Sequence, residues 1–147
     1  MNVSQTIEQR VRASFARQQF MATIGARLDA VRDGEVEIVL PFSPALAQQH
    51  GFIHAGAVTT IVDTACGFAA LTKMPADAAV LTTEFKLNLM SPARGDRLRA
   101  RGKVVRAGKT LIVCLGEVFA EEGGKSKQVA LMTATMMAVD TGTGLKD

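Results

Sequence analysis

The chain has 147 residues, 48% of them hydrophobic and 21% charged, a size and balance that fit one soluble domain with its own core. Trp and Tyr are absent, which removes the usual stacking platforms for single-stranded nucleic acid, and no 18-residue span is apolar enough to read as a transmembrane helix. The N-terminus shows no basic-then-apolar export pattern, and Cys66 and Cys114 stand in apolar runs, so a cytoplasmic protein is expected, with reduced cysteines and neither nucleic acid nor membrane as partner.

Ser4 can cap a first helix in which Ile7, Val11 and Phe15 recur every fourth residue, giving one apolar face over about residues 4–19. Residues 22–32 and 35–40 flank Asp33-Gly34, a hairpin signal. Pro41 and Pro44 end the second strand and open a loop that runs through Gln48, Gln49, His50 and Gly51 into a long apolar helix. After Lys73-Met74-Pro75 the chain alternates with period two. Leu81, Phe85, Leu87 and Leu89 are expected on one face, Thr82, Glu84, Lys86 and Asn88 on the other, until Ser91-Pro92. In the next strand Leu98, Ala100 and Val104 oppose Arg97, Arg99, Arg101 and Lys103, which read as a solvated outer face. Ala107-Gly108 turns the chain into residues 110–120, apolar on both faces and therefore central. Glu121-Glu122-Gly123-Gly124 makes a hairpin into a last strand over 127–139, and residues 140–147 read as a frayed tail. A helix with so little polar surface needs cover nearly all round. The expected class is α+β, with a curved antiparallel sheet wrapped around one central helix.

Asp63 is the only formal charge between Phe52 and Thr72. Removing an unpaired carboxylate from water costs several kcal/mol, so its presence in an apolar helix points to chemistry. Helical spacing puts Thr60, Asp63, Thr64 and Gly67 on one stripe of small or polar groups. A second asymmetry lies downstream. Residues 91–109 hold seven cations (Arg94, Arg97, Arg99, Arg101, Lys103, Arg106, Lys109) against Asp96 alone, a local excess that suits a binding edge for an anion.

Three ordered segments, residues 51–65 from Gly51 through His54-Ala55-Gly56 to Asp63, residues 82–92 from Thr82 to Pro92, and Arg106-Ala107-Gly108-Lys109-Thr110-Leu111, together resemble hotdog-fold acyl-CoA thioesterases of the phenylacetate-pathway (PaaI-like) subgroup. The resemblance covers about residues 20–139. It implies a hotdog domain with an extra N-terminal helix, hydrolysing an acyl-CoA to a free acid and CoA without a cofactor. The site would lie between subunits of a homodimer, itself part of a dimer of dimers. It further implies Asp63 as catalytic carboxylate, Ala55 as the backbone donor to the thioester carbonyl, and Gln48 as the residue that holds the carbonyl or the water. Thr82 matches a hydroxyl near the nucleophile across the interface. Ser91, Arg106, Gly108, Lys109 and Thr110 match positions that contact CoA. Ala55 stands where the family has glycine; the N–H survives, but a methyl group narrows the approach.

The residues themselves support this chemistry. Free N–H groups of Ala55 and Gly56 at a helix start favour a developing oxyanion. Asp63 stands about 12 Å further along the axis at 1.5 Å per residue, too far for both to meet one carbonyl within a subunit. Two subunits with antiparallel helices would bring them together, so the spacing asks for a dimer independently of the family. Asp63 would serve as general base or as nucleophile. His50 and His54 straddle Gly51 in a loop with no helical register to align them, so no metal site is expected; His54 reads as a group that fixes the loop at the edge of the substrate site. Two other readings stay open: an acyl-CoA-binding hotdog protein without turnover, and a hotdog 3-hydroxyacyl thioester dehydratase using His54.

Overall fold

A computed structural model describes residues 3–145 and 147, with the side chains of residues 3–5 and 141 outside that description. The first helix, α1, covers Val3–Arg17, so Ser4 lies inside its first turn rather than before it, and the Ser4 side chain is outside the described residues. Val11 is fully buried, and the Phe15 ring meets Phe68 at 5.9 Å between centroids, so the expected apolar face is the one that docks. A second short helix, α2 (Gln19–Ile24), takes the place of the expected start of the first strand. Gly25 ends it in the left-handed region at φ 79°, returning its N–H to the Ala22 carbonyl.

Six strands follow the expected order: β1 (Arg27–Arg32), β2 (Glu35–Pro41), β3 (Ala79–Leu89), β4 (Arg97–Ala107), β5 (Leu111–Glu122) and β6 (Lys125–Val139). They form one antiparallel sheet in the order β1-β2-β4-β5-β6-β3, with β5 in the interior, although only one of its apolar faces is covered: Ile112, Cys114 and Val118 are buried while Leu111 and Val113 are 50% and 39% exposed. Helix α3 (Ala55–Leu71) lies across the inner face and buries Val58, Ile61, Val62, Ala65, Cys66 and Phe68 against it. Cys66 and Cys114 are free thiols in that core. The architecture is the hotdog fold.

Two glycines seat the helix. Gly102 of β4 and Gly116 of β5 are cross-strand partners. A methyl group on Gly102 would overlap the Ala65 carbonyl and the Cys66 amide, and one on Gly116 would press on Val62 and the Cys66 sulfur. The bare backbone there lets α3 settle into the sheet, and this depth sets how far Asp63 stands from its surroundings.

Two expectations are corrected. Arg97, Arg99 and Arg101 do face outward, but carboxylates of neighbouring strands pair with them. Arg99 reaches Glu37 at 2.9 Å, Glu121 at 2.8 Å and Asp29 at 2.5 Å, while Arg101 reaches Glu37 at 3.2 Å. The sheet order puts β2 and β5 on either side of β4, so cross-strand neighbours supply Glu37 and Glu121, while Asp29 comes from β1, one strand further on. The tail is also not simply frayed: the Asp147 carboxylate accepts from the Val80 N–H at 2.5 Å and from the Ser14 hydroxyl at 3.4 Å.

The third correction concerns β3. Thr82 pairs with Met136 and Glu84 with Thr135, leaving Thr83 as an extra residue. Because side chains alternate with period two, one inserted residue reverses the parity. Leu81 therefore points outward with Glu84, Lys86 and Asn88, while Thr82 turns inward with Phe85, Leu87 and Leu89. A pattern read straight through the strand puts Thr82 on the wrong face.

Candidate active site

The loop before α3 is tied down at several points: the His54 N–H to the Leu46 carbonyl at 2.8 Å, the Ile53 N–H to Ala93 at 2.9 Å, and the Gln48 N–H to Phe52 at 2.8 Å. His54 is the N-cap of α3, and its Nδ1 accepts from the Gly56 N–H at 2.8 Å. An accepting Nδ1 leaves the ring proton on Nε2. A side chain at Gly56 would crowd that ring at 3.0 Å, which accounts for glycine there. The Ala57 and Val58 amides donate to the His54 carbonyl at 2.9 and 3.2 Å. Of the four N–H groups that open the helix, the Ala55 amide alone has no partner among the described residues, and it faces solvent. The expectation of two free amides is corrected: Gly56 is satisfied by His54, and the cap narrows the choice to Ala55.

Ala55 and His54 line a cleft of about 430 Å³ with Gln48, Leu89, Met90 and Ser91. The Gln48 side-chain oxygen accepts from the His50 N–H within its own loop, leaving its amide –NH₂ as the group available to the cleft.

Asp63, two turns along α3, is half-buried and has no ion pair among the described residues. Its Oδ1 accepts from the Thr82 hydroxyl at 2.8 Å. Burial holds the carboxyl above its ordinary pKa, and the Thr82 hydrogen bond draws it part of the way back. The bulge at Thr83 produces this contact by turning Thr82 inward. Thr82 was expected to act across the interface; it meets Asp63 within one chain.

Residues 50–127 match the family model described as the thioesterase superfamily. The chain belongs to the thioesterase superfamily. Membership assigns it to the hydrolases of thioesters. A thioesterase family protein from Silicibacter pomeroyi shares 50% identity and superposes with a TM-score of 0.90 over 91% of this chain and 98% of that one. The E. coli PaaI protein from the phenylacetic acid degradation operon superposes with a TM-score of 0.84 over 94% and 96%, at 19% identity, a likeness of fold. A Halobacterium salinarum protein named only as a candidate esterase is 32% identical over 96 residues, 62% of this chain and 63% of its own length, so the match spans under two thirds of that relative.

In this thioesterase the expected site residues fall into two groups. Gln48, His54, Ala55, Gly56 and Ser91 gather at the start of α3. Asp63 and Thr82 stand with the turn that carries Arg106, Gly108, Lys109 and Thr110, because Leu111 pairs with Met137, which pairs with Leu81. From Leu81 to Ser91 the strand runs about 30 Å at 3.3 Å per residue. One chain does not join the two groups.

Three cations escaped notice as site candidates. A hollow of about 540 Å³ adjoins the cleft, sharing Phe52, Pro92 and Val129 with it, and carries Arg94, Lys125 and Lys127. The Arg94 guanidinium lies 5.0 Å from the centre of the Phe52 ring. Arg94 was visible only as part of a basic run. Lys125 and Lys127 belong to a hairpin 30 residues on, and strand order alone brings them near.

Proposed function

We propose that this thioesterase hydrolyses acyl-CoA in a site shared by two subunits, with Asp63 of one facing the Ala55 amide of the other. The observation that carries the reading is the half-buried Asp63 carboxylate, held by Thr82 and without an ion pair among the described residues, in a family whose reaction needs an activated water. Antiparallel pairing of two β3 strands about a two-fold axis near Phe85 would set the Leu81 end of one against the Leu89 end of the other. The same operation joins Asp63 with Ala55 and the turn at 106–110 with Ser91, so one axis repairs both separations. β3 is an edge strand whose Phe85 and Leu89 are 43% and 54% exposed, a combination that invites a second copy.

In this arrangement the Ala55 N–H and the Gln48 amide donate to the thioester oxygen, with the positive end of α3 favouring the developing oxyanion. Asp63 acts as general base. Thr82 fixes Oδ1, and Oδ2 takes the proton of the attacking water. The water oxygen bonds to the carbonyl carbon, the C–S bond breaks and CoA leaves as thiolate. Arg94, Lys125 and Lys127 beside the helix start, with Arg106 and Lys109 from the other subunit, supply positive charge for the CoA phosphates, and Ser91, Gly108 and Thr110 supply hydrogen-bonding groups. His54 orders the helix start through its cap to Gly56.

Release of free thiol from an acyl-CoA panel tests the reading. Binding without thiol release would favour the acyl-CoA-binding alternative, and an enoyl product the dehydratase. A single turnover in ¹⁸O water is expected to place label in the released acid alone; label transferred to Asp63 would make it the nucleophile.

Two further results are expected. Phe85→Glu places a charge on the open edge without touching the buried core, so it should yield a folded monomer by sedimentation velocity that has lost nearly all thiol release. A fully active monomer would sink the shared site. Thr82→Val removes the hydrogen bond that favours ionised Asp63, so the acidic limb of the pH–kcat profile should move to higher pH. An unmoved limb would detach Thr82 from the base.

A further inference from the structure

Gly67 lies in the interior of α3, where glycine is the poorest helix former after proline. Its φ is not positive, and among the described residues nothing stands within 4 Å of where a Cβ would sit. Neither backbone conformation nor close packing calls for glycine here. Gly67 is one turn beyond Asp63 on the same face, and its missing side chain keeps open a hollow of about 110 Å³ whose wall includes Asp63, Thr82, Phe68 and Gln18.

Asp147 also lines that hollow. Its carboxylate accepts from the Val80 N–H, a β3 donor that β6 leaves unmet, and from Ser14, which is only 6% exposed. Arg10, one turn before Ser14 on α1, donates to the Met74 and Ala78 carbonyls at 3.3 and 2.5 Å, and its charge acts favourably on Asp147. The part of the wall that Asp147 forms is thus a hydrogen-bonded charge that Arg10 stabilises. An alkyl chain gains nothing by pressing on such a group, since moving it aside would leave the Val80 donor and Ser14 unpaired.

We propose that Gly67 and Asp147 set the acyl length this enzyme accepts, Gly67 by leaving the hollow open and Asp147 by bounding it. The inference rests on the assignment of Asp63 to the chemistry, which puts the thioester carbonyl at the mouth of this hollow. At roughly 30 Å³ for a group the size of water or a methylene, the space holds about four such groups beyond the carbonyl. The substrates are then short acyl thioesters.

The test is kcat/KM on straight-chain acyl-CoAs from acetyl to decanoyl for the full chain and two variants, with folding checked by circular dichroism. The wild type should peak between butanoyl and hexanoyl and fall at least tenfold by octanoyl. Asp147→Ala should raise the octanoyl-to-butanoyl ratio at least tenfold; Gly67→Leu, which fills the hollow without needing the tail, should lower the hexanoyl-to-acetyl ratio by a similar factor. Profiles parallel to the wild type in both variants would overturn the proposal, as would a wild type that prefers decanoyl. A wild type that turns over no acyl-CoA would instead overturn the acyl-CoA thioesterase reading, and this inference with it.

Discussion

Asp63→Asn is expected to lower kcat by about 10²–10⁴-fold, ~3–5 kcal/mol of barrier, the range a positioned general base contributes. The protein should stay folded, and the pH dependence of its stability says why. Burial raises the Asp63 pKa in the folded state, so folding favours the neutral acid. That contribution is fully present below the ordinary carboxylate pKa and is lost as pH rises through the raised folded value. At neutral pH the ionised side chain therefore weighs against the fold. Asparagine keeps the shape and can still accept from Thr82 without the charge. Its thermal midpoint at pH 7 should equal or exceed that of the wild type, with the difference shrinking on acidification. An Asn variant that turned over normally would remove Asp63 from the chemistry; one that melted lower at pH 7 would give the carboxylate a structural role.

The second large effect is on stability. Gly102→Ala is expected to destabilise the protein by at least the upper end of the ~1–3 kcal/mol usual for overpacking, read from the urea midpoint. The added methyl would meet the Ala65 carbonyl and the Cys66 amide. Helix backbone cannot rotate aside as a side chain can, so α3 must lift from β4. Gly116→Ala meets side chains, with the Val62 Cγ2 at 2.5 Å, the Cys66 sulfur at 2.9 Å and the Met132 Cβ at 3.2 Å, and because side chains can shift where helix backbone cannot it should cost less. Lifting α3 also separates Asp63 from Thr82, so surviving Gly102→Ala protein should turn over more slowly. A variant as stable as the wild type would mean that the helix is not held at its depth by this contact.

These results bear on how much the order of residues discloses. Asp63 was legible because a lone charge in an apolar helix carries a desolvation penalty visible in the residues alone. The separation of Ala55 from Asp63 was legible too, because helical rise sets it without any structure. Thr82 was legible as a type but not as a contact. Its inward direction depends on Thr83, and no residue near that bulge announces it as Gly or Pro would. The paired state of Arg99 was hidden for another reason: its partners Asp29, Glu37 and Glu121 come from three strands, and only the sheet order gathers them.

The residue order by itself determined the α+β class, the central helix, the family and the carboxylate proposed for the chemistry, since each follows from local spacing, periodicity or the cost of burying charge. Tertiary structure decided which helix-start amide stays free, which way Thr82 points, which cations border the cleft and what the tail touches. Those are set by pairing register and by caps that compete for the same donor. Contacts between residues far apart in the chain depend on how strands are ordered and shifted, and a shift of one residue reverses a face without changing the composition of the strand.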